Sequence, residues 1–367
     1  MKQRTLFGFS GVWVVLSLLL LSSSVVDDAQ AQDVDRLWLH LQANKEAPLT
    51  ATPAELGITE RALWRRSKVM AADRLIDAYD YPVNSAILEQ IRSIGARIRT
   101  VSRWLNAISV EANAEQARAL RSLSSVDRIS AVTVYRRRIE ELQQISSLPS
   151  FEKRSSVTGL NYGSSYTQLS LIKVIPLHDS GIDGEGIIVG MVDDGYNNHR
   201  VHEATAGNRV LAEYDFIQDD TNTSYEQGDY PGQGNHGMYT YSALAGFKEG
   251  SLIGPAHGSS FLLAKTEVVG SETQIEEDLY VQGLEWLEQQ GADIVSSSLG
   301  YIDWYNYQDL DGNTAVTTRA ARIAMRKGIL LVTAMGNEGW YQSGTTGLTG
   351  TMITPADADS VISVGAV

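Results

Sequence analysis

Ile187-Ile188-Val189-Gly190-Met191-Val192-Asp193-Asp194-Gly195 is the stretch that decides the fold. Its first six residues carry no charge and no polar side chain, whereas a strand with one wet face alternates; the run therefore reads as a strand buried on both faces. It ends abruptly in two carboxylates and a turn glycine. Three more runs have the same character: Phe261-Leu262-Leu263-Ala264, Asp293-Ile294-Val295-Ser296 and Ile329-Leu330-Leu331-Val332-Thr333. Helical patterns over 238–245, 274–290 and 317–327 separate them. Strands alternating with helices predict a parallel α/β sheet with right-handed crossovers, and chemistry in such sheets sits beyond the carboxyl ends of the strands.

Upstream the pattern changes. Helical spacing in Ile87-Leu88-Ile91-Ile94 and in Ala114-Ala117-Leu120-Leu123 flanks strand-like sequence over 97–110, and Ile129, Val132 and Val134 mark a further β-rich piece. The order helix, strand, helix, strand describes a small α+β domain over 32–145. Residues 146–166, heavy in Ser and Gly, read as a linker to a larger unit over 167–367. At the start, Lys2 and Arg4, an apolar run over 6–21 and the small-x-small site Ala29-Gln30-Ala31 predict a secretory signal peptide over 1–31. The apolar run is short for a bilayer, so an exported chain with no membrane span in its mature form is expected.

Composition narrows the function. A net charge of -14 argues against a nucleic-acid partner, which needs a basic footprint to displace counterions from phosphates. With 0 cysteines there is no disulfide framework, no thiolate nucleophile and no Cys-based zinc site.

Three features follow strand-like runs. Asp193-Asp194-Gly195 offers a carboxylate at a strand end, which also suits a turn or a helix cap. His236-Gly237, preceded by Gly232-Gln233-Gly234, opens a helical pattern, where the helix dipole disfavours the charged ring and suits a neutral base. Ala334-Met335-Gly336-Asn337 follows the last clear strand and can project an amide donor or form a left-handed turn.

In their order and flanking residues these features resemble the subtilisin-like serine peptidases (subtilases, peptidase S8 family), in which one strand ends in Asp-x-Gly, a helix begins His-Gly-Thr and a later strand ends in Ala-Gly-Asn. The resemblance spans about residues 160–367 and implies a subtilisin-like parallel sheet flanked by helices. It implies that Asp193 orients the imidazole, His236 is the general base and Asn337 donates to the oxyanion, while Ser298, Leu299 and Gly300 pair with substrate backbone. Met238 stands where the family usually has Thr, and Asp194 where it has Thr, Ser or Ala. The first domain resembles the inhibitory propeptide of these enzymes through Trp104-Leu105-Asn106-Ala107-Ile108-Ser109-Val110 and Val126-Asp127-Arg128-Ile129. Basic clusters at Arg136-Arg137-Arg138 and Lys153-Arg154 flank the expected processing region, though a solvated linker face explains them equally.

The resemblance thus implies a secreted, extracellular serine endopeptidase made as a zymogen, acting on protein or peptide substrates with its own propeptide as intramolecular inhibitor. No Gly-Thr-Ser motif follows Asn337, so the nucleophile is expected beyond Val367; a catalytically inactive subtilisin-like binding or structural protein is the alternative. An α/β esterase is disfavoured, since no Gly-x-Ser-x-Gly elbow follows any strand. No cofactor is required. Ca²⁺ remains open at Asp309-Leu310-Asp311-Gly312-Asn313, which has alternating oxygen ligands without a full calcium-loop spacing and reads more simply as a polar turn. Glu272, Glu276, Glu277 and Asp278 read as the acidic first turn of a helix.

Overall fold

The computed structural model describes residues 35–42, 51–132, 134–135, 159–270, 272–337 and 352–365. The expected signal peptide, both basic clusters and most of the expected linker lie outside these residues.

The N-terminal domain is built on a four-stranded sheet: β1 (Asp35–Leu41), β2 (Arg97–Ser102), β3 (Ala107–Ala112) and β4 (Val126–Ala131), in the order β2-β3-β1-β4. β1 is flanked on both sides and antiparallel to both neighbours, so this domain opens on an inner strand rather than a helix. That corrects the helix-first order expected from sequence. Leu37, Leu39 and Leu41 alternate on one face and join Ile108, Val110, Ile91 and Leu120 in a core with α2 (Ser85–Ser93) and α3 (Ala114–Arg121). Trp38, on the other face, joins a different core. Between β1 and α2 lies a segment that the periodicity did not single out, with α1 (Glu60–Arg66) and short 3₁₀ turns at Ala72–Arg74 and Ala78–Asp80. A two-residue strand, β5 (Val134–Tyr135), follows β4.

The larger unit starts before residue 167. Tyr162 is fully buried with Leu169, Val174, Ile175 and Ile253, around α4 (Tyr166–Leu171) and α5 (Val174–Asp179). Ser and Gly neighbours disguised this packing as linker. The six-stranded sheet that follows contains β6 (Ile188–Asp193), β7 (Arg209–Asp215), β10 (Ser260–Lys265), β12 (Ile294–Ser297), β13 (Leu330–Ala334) and β14 (Ile362–Val364). Their order is β14-β13-β12-β6-β10-β7, and every pairing is parallel. Two separate antiparallel pairs lie outside this sheet: β8 (Phe247–Lys248) with β9 (Leu252–Ile253), and β11 (Glu272–Thr273) with β5.

Side chains on the inner strands are divided between the two faces. Val189, Met191, Phe261 and Leu263 pack with Tyr241 of α6 (Asn235–Ala245). Val192, Leu262, Ala264 and Val295 pack on the opposite face under α7 (Gln274–Gln290) and α8 (Val316–Arg326). Gly190 lets α7 pack close to β6, since a Cβ there would lie 2.8 Å from the Leu287 side chain and displace it. Trp38, Trp104 and Leu105 of the N-terminal domain belong to this second core, so its sheet closes over α7 and α8. Burying two tryptophans against the helices favours that contact by several kcal/mol, at roughly 25 cal/mol per Å² of apolar surface.

Candidate active site

The sheet delivers its chemistry at one edge. Asp193 is the last residue of β6, Ser298 follows the end of β12, and Asn337 stands three residues past β13, all at the carboxyl ends of neighbouring parallel strands. His236 comes from α6, whose N-cap is Gly234 in a left-handed conformation with φ of 77°.

Asp193 and His236 meet. Ring Nδ1 lies 2.6 Å from Asp193 Oδ1, while Thr240 Oγ1 donates to Asp193 Oδ2 at 3.0 Å. The carboxylate is buried and the imidazole exposed. The imidazole side chain is 53% exposed, and among the described residues its Nε2 makes no hydrogen bond. Thr240 was not anticipated from sequence. It lies one helical turn beyond His236 on the same face, so an i, i+4 search from the histidine would have found it once Met238 was seen to lack a hydroxyl.

Asp194 has a different job. Its Oδ1 accepts the Gly237 N–H at 2.7 Å and its Oδ2 accepts the His236 N–H at 3.3 Å, which satisfies two orphan donors at the start of α6. The adjacent carboxylates therefore do not compete for the ring. Gln233, buried beside them, donates through Nε2 to the Asp194 carbonyl at 2.5 Å and to the Glu267 carbonyl at 2.6 Å. A Cβ on Gly237 would lie 2.1 Å from the Gly195 carbonyl oxygen and 2.9 Å from Asp193 Cβ, so the helix can approach the strand end only with glycine there.

The electrostatics differ from the sequence expectation of a neutral ring. The hydrogen bond that the ring donates to Asp193 and the negative charges of Asp193, Asp194 and Glu267 push the His236 pKa up to about 9, against partial desolvation of the ring. Carboxylates in direct contact outweigh a helix dipole, which contributes at most 1–2 kcal/mol. Burial and the Asp193 charge push Asp194 up to about 7.

The other anticipated residues are placed as follows. Leu299 is buried in the α7/α8 core, Ser298 and Gly300 are half-buried, and a Cβ on Gly300 would meet Ile353 at 2.1 Å. Asn337 is exposed, after Gly336 with φ of 103°. Asp311 is engaged in a turn, accepting from Asn313 N, Thr314 N and Thr314 Oγ1. A second set of carboxylates, Asp215, Asp220 and Glu226, brings oxygens within 4.8 Å of one another, with Lys265 Nζ 2.7 Å from Asp215 supplying positive charge.

Residues 184–367 match the subtilase family, and residues 36–147 match the peptidase S8 propeptide domain of Bacteroidota. The chain belongs to the subtilase family. Among curated subtilases it is 26% identical over 243 residues to Subtilisin E of Bacillus subtilis, covering 65% of this chain and 55% of that protein. It is 30% identical over 199 residues to Subtilisin DY of Bacillus licheniformis, covering 54% and 63%. The chain therefore spans less than two thirds of the length of these relatives. Among solved structures, the epidermin leader peptide processing serine protease of Staphylococcus aureus superposes with a TM-score of 0.54 at 13% identity, over 91% of this chain and 69% of that one. Fervidolysin of Fervidobacterium pennivorans, a keratinolytic enzyme, gives a TM-score of 0.51 at 18% identity, over 77% and 41%. The subtilisin-like sheet expected from sequence is the fold of this chain, and its N-terminal sheet belongs to a subtilase propeptide domain. Among the described residues no helix is long and apolar enough to cross a membrane.

Proposed function

We propose that this protein is a secreted serine endopeptidase synthesised as a zymogen, in which His236 and Asp193 activate a serine nucleophile. The observation that carries the reading is the 2.6 Å contact between His236 Nδ1 and the buried Asp193 carboxylate at the carboxyl end of a parallel strand. A neutral Nε2 takes the serine proton as the hydroxyl attacks a peptide carbonyl, then returns it to the departing amine; water repeats the cycle to release the acyl group. Asp193 holds the ring tautomer and stabilises the imidazolium, and Asn337 donates its side-chain amide to the oxyanion. Ser298, Leu299 and Gly300, at the end of the strand next to β6, line the path of extended substrate. The propeptide domain, closed over α7 and α8, acts as the intramolecular inhibitor, and an N-terminal signal peptide exports the chain.

The test is to treat the full-length gene product with casein and with a serine-directed fluorophosphonate. Wild type should hydrolyse casein and label at one serine, and His236→Ala should do neither. Failure of the folded wild type to label after removal of the propeptide would establish the alternative, an inactive subtilisin-like binding protein.

A further inference from the structure

The segment between β1 and α2 makes a contact separate from that of the propeptide sheet. The sheet lies along α7 and α8, where Ser102 Oγ donates to Glu285 at 2.6 Å. Residues 51–81 instead sit on the carboxyl-terminal ends of both helices. α7 stops at Gly291, with φ of 97°, and α8 at Lys327 and Gly328; the cap N–H groups close on carbonyls of each last turn, and the Ala292 and Lys327 carbonyls just beyond project toward α1.

α1 meets those carbonyls. Arg65 donates through Nη1 to the Ala292 carbonyl at 2.6 Å and the Glu288 carbonyl at 3.3 Å, and through Nε to the Lys327 carbonyl at 3.1 Å. It also pairs with the Glu288 carboxylate. Arg66 donates to the same carboxylate at 2.7 and 2.6 Å, and to Asp80 at 3.0 and 2.8 Å. Asp80 in turn receives Lys327 Nζ at 2.9 Å, and Asp77 receives it at 3.1 Å. Arg65, Arg66, Asp80, Glu288 and Lys327 are all buried. A Cβ on Gly291 would lie 2.7 Å from Arg61 Cγ and one on Gly328 would lie 2.9 Å from the Val69 side chain, so the fit extends to the backbone.

Charges of both signs thus cross a dry contact and each meets its opposite. Such an arrangement adds modest net affinity, because desolvation offsets the attraction, but a partner lacking one member leaves a buried charge unpaired. Cationic side chains also suit helix carboxyl ends, where the dipole is negative.

We propose that residues 51–81 are a docking arm that recognises the paired carboxyl-terminal ends of α7 and α8. The arm keeps the propeptide domain on its own peptidase unit after the chain between them is cut, and discriminates against other propeptide domains. This rests on the reading that the two parts are separated by cleavage.

The test uses the full chain with a recognition sequence for a site-specific protease inserted between residues 136 and 158. After cutting, release of the N-terminal part is followed by size exclusion and by exchange with a fluorescent copy. The wild-type pieces should stay together. Glu288→Gln and Lys327→Met should each speed release at least about thirtyfold, the effect of truncating one member of a buried charge pair. A fluorescent N-terminal part carrying Arg66→Met should exchange into the wild-type complex at least about tenfold less well than the unaltered part. The milder Asp77→Asn, at the edge of the cluster, should speed release several-fold and serves if the buried variants fail to fold uncut. Release altered less than twofold by Glu288→Gln and Asp77→Asn, but accelerated by Glu285→Gln, would overturn the proposal and assign retention to the sheet. Inhibition is read separately: a part that stays bound without inhibiting casein hydrolysis would sink the inhibitor reading and leave the arm standing.

Discussion

At the end of β6 two adjacent aspartates are withdrawn from water, and along α7 five acids are: Glu276, Glu277, Asp278, Glu285 and Glu288. The first pair finds its partners close by, with Thr240 only 47 residues from Asp193 and Gly237 only 43 from Asp194. On α7, Glu285 is met by Ser102 across 183 residues and Glu288 by Arg66 across 222. Carboxylates at the strand end are therefore positioned by the peptidase unit itself, whereas several on α7 complete their environment only when the propeptide domain is docked. Burial of the first kind serves geometry, and burial of the second kind serves recognition.

The sharpest way to break the comparison is at the strand end. In the full-length gene product, His236→Ala should lower kcat against a peptide substrate by roughly 10⁴–10⁶, and Asp193→Asn by roughly 10⁴. An effect below a hundredfold for either would remove the pair from the chemistry.

Next in size is the pH profile. Because Asp193 and its neighbours raise His236 to about 9, and only the neutral ring is a base, kcat/KM should climb as pH rises toward 9. The residual activity of Asp193→Asn should rise instead with a midpoint nearer the ordinary histidine value of about 6.5. Coincident midpoints would show that Asp193 does not set the ring's proton affinity.

Asp194→Ala removes the acceptor of two helix N–H groups and should destabilise the fold by about 1–2 kcal/mol in urea unfolding, the range for a lost helix cap. Loss of activity without loss of stability would instead give Asp194 a direct part in the chemistry.

The smallest effect tests the α7 side. Burial pushes Glu277 up to about 8, although Tyr305, Trp304 and Thr317 donate to it. Its folded pKa stands above the unfolded value, so the stability it confers is complete below about pH 4.5 and fades as pH rises through 8. Glu277→Gln should leave Tm within about 2 °C of wild type at pH 4.5 and exceed it at pH 9. A variant less stable than wild type at pH 9 would mean that the charged form is favoured there.

The same division governs what could be read from sequence. β6, β10, β12 and β13 announce themselves because buried parallel strands need uninterrupted apolar runs, and α7 runs over 274–290 as its periodicity predicts. Asp193 and His236 stand at a strand end and a helix start, but it was the order of their motifs, shared with the subtilases, that paired them. β7 was not legible, since it pairs only with β10 at the sheet edge and carries Arg209, Glu213 and Asp215 among its apolar residues. β1 and α1 were missed for other reasons: β1 carries Asp35, Arg36 and His40 among its apolar residues, and α1 is a seven-residue helix whose defining contacts lie more than 220 residues away. The acidic start of α7 was read as the acidic first turn of a helix. Glu276 does cap that turn, accepting the Thr273 N–H at 2.7 Å, but Glu276, Glu277 and Asp278 are all buried, which no local pattern encodes.

The close approach of Gly237 to Gly195 means that the spacing between the strand and the helix is set by main chain against main chain, with no rotamer intervening. In a saturation scan scored for activity, positions 195 and 237 should stand as two nearly blank columns. Position 238, whose methionine packs among Val189, Met191 and Tyr241, should accept a range of apolar residues. The tolerance map would then trace the site's ruler more clearly than its reactive groups.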